Sequence, residues 1–118
     1  MTPEEFEAEV ERAVKNLPRA FRDRLENVAV VVKARPTAEQ RRRYGPGLLG
    51  LYEGVPATER GAADGGLMPD KITLFRESLQ EGPGGAGGAA ERVRRTLMHE
   101  IAHHFGMDDD ELREKGLY

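Results

Sequence analysis

The apolar positions of this chain fall into two helical stripes and three strand-like runs. Phe6, Val10, Ala13, Val14 and Leu17 recur at three- and four-residue spacing, the period of a helix with one buried face. Thr2, Pro3 and Glu5 ahead of them form a capping-box start, and Pro18 closes the segment. A short helix-compatible stretch follows through Phe21 and Leu25. Val28 to Lys33 is a nearly unbroken β-branched run, which predicts a strand buried on both faces. Thr37-Ala38-Glu39-Gln40 opens another capped helix, short and highly charged, which the turn Gly45-Pro46-Gly47 stops. Leu48 to Glu53 predicts a strand whose flanking glycines and polar exit suit a sheet edge. Residues 57–70 predict an irregular loop, and Lys71 to Arg76 a third strand carrying Ile72, Leu74 and Phe75. The glycine-rich segment 81–88 predicts a flexible connection, because it has nothing to bury. No Gly-Lys-Ser/Thr follows it, which argues against a phosphate loop. Ala89 to Phe105 is the longest predicted helix, with Val93, Leu97, Ile101 and Phe105 as its apolar spine. The expected fold is α+β over residues 1–118, one domain. A small mixed or antiparallel sheet of three or four strands packs on the N-terminal helix and on helix 89–105.

Composition narrows the chemistry. A chain of 118 residues with 38% hydrophobic content suits one modest core, and with no Trp, three Tyr and four Phe that core must be mostly aliphatic. The net charge of -3 and pI near 5.7 give no electrostatic footprint for nucleic acid or an anionic membrane. The Arg41-Arg42-Arg43 run reads accordingly as a solvated helix face. The absence of cysteine removes disulfides, thiolate metal sites and cysteine nucleophiles, so any metal ligand must be His, Asp or Glu. No apolar run approaches a membrane span, and the acidic opening Met1 to Glu5 is unlike a secretory leader, so the expected location is cytoplasmic.

All three histidines lie in His99-Glu100-Ile101-Ala102-His103-His104-Phe105-Gly106-Met107-Asp108-Asp109, which spells HExxHxxGxxD. On a helix, His99 and His103 are about 40° apart around the axis and can meet at one metal ion with Glu100 beside them. They point away from the Leu97, Ile101 and Phe105 stripe, which argues against buried core histidines. Catalytic zinc takes three protein ligands and a water. Residue 109 on a straight helix would stand about 15 Å beyond His99, so the helix must break, and Gly106 is the residue that can turn it back. Asp109 is then the favoured third ligand, with Asp108, Asp110 and Glu111 as competitors. His104 points about 100° from His103, too far to join the pair, and is expected to support the ligands from behind or to pack.

The motif resembles that of zincin metallopeptidases with an aspartate third ligand, and more closely the small bacterial mini-zincins, which carry a similar HExxHHFG run. The likeness extends to Gly50-Leu51-Tyr52-Glu53-Gly54-Val55-Pro56 and to Pro69-Asp70-Lys71-Ile72-Thr73-Leu74-Phe75. It implies one zinc ion per chain on His99, His103 and Asp109, with Glu100 as the catalytic base in hydrolysis of a peptide bond. Larger metzincins floor the site with a downstream Met-turn. Here Met107 lies inside the motif and no Met follows Asp109, so Leu117-Tyr118 is expected to fold back, with Tyr118 as an aromatic floor. The expected partner is a peptide or protein substrate, paired to the edge strand 48–53. Tyr52 is a weak candidate for stabilising an oxyanion and a stronger one for a structural aromatic. The rival expectation is a zinc-binding or protein-interaction domain of little or no activity, whose open sheet edge serves a partner or a homodimer.

Overall fold

The computed structural model describes residues 1–54, 70–81 and 85–104. In chain order its elements are α1 (Pro3–Lys15), α2 (Arg19–Arg22), a 3-10 turn (Asp23–Leu25), β1 (Val28–Lys33), α3 (Ala38–Tyr44), β2 (Gly50–Glu53), β3 (Asp70–Phe75) and α4 (Arg76–Gln80). A second 3-10 turn (Gly85–Gly88) then leads into α5 (Ala89–His104). Both expected capping boxes form. Thr2 Oγ1 accepts the Glu5 N–H at 3.1 Å, and Glu5 Oε1 accepts the Thr2 N–H at 2.8 Å. Thr37 and Gln40 repeat the exchange at 3.0 and 2.9 Å. Each box satisfies two donors that a helix start otherwise leaves open. At the far end of α3, Gly45 adopts φ +94°, a conformation that a side chain would strain.

The sheet is mixed and three-stranded, in the order β1-β3-β2. β1 runs parallel to β3, in the register Val30↔Ile72 and Val32↔Leu74; β2 is antiparallel to it, with Tyr52↔Ile72 and Gly50↔Leu74. Two rows of side chains thus cross the sheet toward the helices. Ile72 and Leu74 are fully buried, and Val28, Val30, Val32 and Tyr52 pack beside them. Burying each large aliphatic side chain stabilises by roughly 1.5–3 kcal/mol. The rest of the core is the helical stripe of Phe6 and Val10, then Leu17, Phe21 and Leu25, and the inner face of α5, which lies against α1, β2 and β3.

Three sequence expectations are corrected here. β1 is an edge strand of the described sheet and only partly buried, not covered on both faces. The covered strand is β3, where Thr73 and Phe75 are buried on the face opposite Ile72 and Leu74. A β-branched run signals fit to a pleated surface and does not say which strand lies centrally. Second, within the connection expected at 81–88, Gly85–Gly88 form a 3-10 turn, and 82–84 lie outside the described residues. Arg92 on α5 holds the turn, donating to the carbonyls of Leu79, at 2.6 Å, and Gly85. Third, α4 buries Leu79 in a stretch where the apolar pattern announced no element. β2 lies at an edge of the described sheet, as expected of 48–53, although its regular part begins at Gly50. Among the described residues, no helix is long and apolar enough to cross a membrane.

Candidate metal centre

The exposure pattern of α5 divides it lengthwise. Val93, Leu97, Met98, Ile101 and Ala102 are buried, whereas His99, His103 and His104 are exposed and Glu100 is half-buried. The His99 and His103 rings have centroids 6.2 Å apart and planes tilted by 39°. At that separation one ion could lie between the two rings, since a zinc–imidazole bond is about 2.0–2.1 Å long.

β2 fixes the third side chain of this group. Gly50 sits so close to α5 that a Cβ there would lie 2.7 Å from Thr96 Cγ2 and 3.3 Å from the Thr73 carbonyl oxygen. Only glycine lets the strand backbone lie that near the helix. The Phe75 N–H donates to the Leu49 carbonyl at 3.0 Å, so Leu49 and Phe75 are a hydrogen-bonded pair. Antiparallel alternation then makes Leu51 and Thr73 the next such pair and turns the Tyr52 N–H outward, off the sheet edge. That N–H donates to the Glu100 carboxylate. Burial raises the Glu100 carboxyl from its ordinary value; the Tyr52 N–H and the neighbouring His103 and His99 oppose the shift. The result is a carboxylate more basic than an exposed glutamate, directed by a backbone bond.

His104 faces away from the His99–His103 pair. Its ring stacks on Tyr52 with centroids 3.7 Å apart and planes within 13°. The Tyr52 hydroxyl donates to Asp70 Oδ2 at 3.2 Å, and His104 Nε2 stands 3.9 Å from the same oxygen. Beside Glu100 opens a cavity of about 610 Å³. Residues 44–50 wall one side, and Arg95, Thr96, His99 and Glu100 the other. Tyr44 and Leu49, exposed by 48% and 38%, give that wall an apolar surface.

The structure therefore brings together His99, Glu100 and His103. Gly106, Asp109 and Tyr118 lie outside the described residues, as do Phe105 and the competing acids Asp108, Asp110 and Glu111. Among the described residues no three His, Asp or Glu side chains converge as a complete metal site. Sequence reasoning missed Asp70 and Gly50. The alternation of β2 held part of the signal, since Gly50 and Tyr52 share one strand face, and a glycine opening a strand often marks close backbone approach.

Comparison with known proteins agrees with this architecture. The profile of the zincin-like metallopeptidase family matches residues 25–117. A solved structure, described as a conserved hypothetical protein from Thermus thermophilus, is 31% identical to this chain. The match covers 89% of this chain and 94% of that one, with a TM-score of 0.54. No curated protein is significantly similar. With a helix that sets two histidines and a glutamate on its outward face beside a mixed sheet, and a family profile spanning most of its length, the chain belongs to the zincin-like metallopeptidases.

Proposed function

We propose that residues 1–118 form a zinc-dependent metallopeptidase domain in which His99, His103 and Asp109 hold one ion per chain and Glu100 acts as the base. One observation carries the reading: on α5, two exposed histidines one turn apart flank a half-buried carboxylate at the mouth of a cavity. The donor set fits, because two imidazoles and a carboxylate are a zinc-binding combination that leaves one position open. Members of the family usually bind zinc. When bound, zinc supplies Lewis acidity and a water that loses its proton near neutral pH. Glu100 would accept the proton of the attacking water on a carboxylate oxygen and pass it to the amine nitrogen as the C–N bond breaks. The cavity wall at Tyr44 and Leu49 receives an apolar side chain of the peptide, and the β2 edge aligns its backbone. Since the Tyr52 N–H is engaged by Glu100, strand-like pairing falls to the Gly50 end of that edge.

A second reading, a zinc-binding or interaction domain with little turnover, draws on the edge position of β2, which suits a partner strand or a second copy. Zinc analysis of the purified protein and a peptide-library cleavage assay separate the two. The expected result is one zinc per chain, lost in His99→Ala and His103→Ala, with cleavage that drops in a zinc-loaded Glu100→Gln protein. Cleavage that survives Glu100→Gln refutes the proposed role of the base. Stoichiometric zinc with no cleavage by the unaltered protein supports the second reading.

A further inference from the structure

We infer that Tyr52, His104 and Asp70 form a clamp that positions Glu100, with Tyr52 as its working part. The inference rests on the reading of Glu100 as the base. Glu100 and His104 are four residues apart on α5, so they share one face of the helix on successive turns. Tyr52 crosses both turns. Its backbone N–H holds the Glu100 carboxylate, and its ring lies flat on His104 at 3.7 Å. Asp70, opening β3, holds the far end of the ring through the hydroxyl at 3.2 Å and stands 3.9 Å from His104 Nε2. The contacts come from two strands and the helix, so the outward N–H of Tyr52 cannot drift from Glu100 unless the stack opens. The sheet side of the strand is fixed separately, by the Leu49–Phe75 hydrogen bond and the flush fit of Gly50 on Thr96. These three side chains are positioning residues: they act through the placement of one carboxylate.

Such a clamp makes demands that a purely structural cluster does not. Amide hydrogen exchange at residue 52, followed by NMR on the whole chain, reads the held N–H directly. Zinc affinity and the kcat and KM for a cleaved library peptide read its effect. In Tyr52→Ala and His104→Ala, exchange at residue 52 is expected to quicken at least tenfold. In those variants kcat falls about tenfold or more, while KM and zinc affinity stay within about twofold. Tyr52→Phe keeps the ring stack but loses its hold on Asp70, so exchange at residue 52 and kcat are expected to move in the same directions by a few-fold, and it provides the test if the alanine variants fail to fold. Unchanged exchange at residue 52 in the variants overturns the clamp, and so does loss of zinc affinity in parallel with kcat. Should the unaltered protein cleave nothing, the peptidase reading fails, and exchange at residue 52 alone decides the clamp.

Discussion

The two long faces of α5 have opposite physical tasks. The inner face carries Val93, Leu97 and Ile101, all fully buried between α1 and the sheet, where close packing makes every methylene count. The outer face carries His99 and His103, exposed and close to each other, with Glu100 half-buried at the boundary. Because the two sets point in different directions from one rigid rod, stability and chemistry are placed in register without sharing side chains. The seam between them is β2, where Gly50 touches the helix and Tyr52 reaches Glu100.

The division can be broken by substitution. The largest effect is expected on the outer face, where Glu100→Gln lowers cleavage by roughly 10²–10⁴-fold, the usual worth of a positioned acid–base group. Its urea unfolding midpoint should stay close to that of the unaltered protein, and a collapse in stability would show that the faces are not separable. Next comes the inner face: Leu97→Ala should cost about 2–5 kcal/mol in urea unfolding of the metal-free protein, and a loss under about 1 kcal/mol would mean the stripe is looser than its burial implies. At the seam, Gly50→Ala must push β2 from Thr96 and is expected to cost about 1–3 kcal/mol. Faster amide exchange at Tyr52 in that variant would tie the seam to the site, whereas a stability loss with no change at Tyr52 would separate them. The smallest effect lies far from both faces. Hydrogen bonds from the Thr2 backbone and side chain hold the Glu5 carboxyl below its ordinary value of 4.5. A depressed folded-state pKa adds stability above the unfolded value and loses it as pH falls through the folded one. Unfolding curves of Glu5→Gln and the unaltered protein should therefore differ at pH 6 and converge below the carboxylate range. A gap that persists in acid removes the charge from the account.

Local and periodic features were legible in the sequence, and long-range ones were not. The capping boxes at Thr2 and Thr37 need only residues three apart, and the spine of α5 needs only the helical period, so both could be read directly. The same period placed His99 and His103 opposite the core. Strand order was not legible. The Val28–Lys33 run looks more central than Asp70–Phe75, yet the latter is the more buried and takes the place between two strands that precede it in the chain. The contacts of Tyr52 with Asp70 and His104 span tens of residues, so no local pattern encodes them. Gly85–Gly88 misled for a related reason, since its order comes from Arg92 and not from its own side chains.

The strand order has a consequence for the way the chain reaches its native state. β3 lies between β1 and β2 but follows both in sequence. Neither earlier strand has its sheet partner until the segment from Asp70 onward is in place, so no hairpin of β1 and β2 can serve as an early template. Closing the β1–β3 ladder first requires joining Val28 to Asp70 across a long loop, at a cost in chain entropy that rewards nothing until the ladder forms. The sheet should therefore assemble in one cooperative step, with β3 as its nucleus, and substitutions at Ile72 or Leu74 should slow folding where those in α3 mainly speed unfolding.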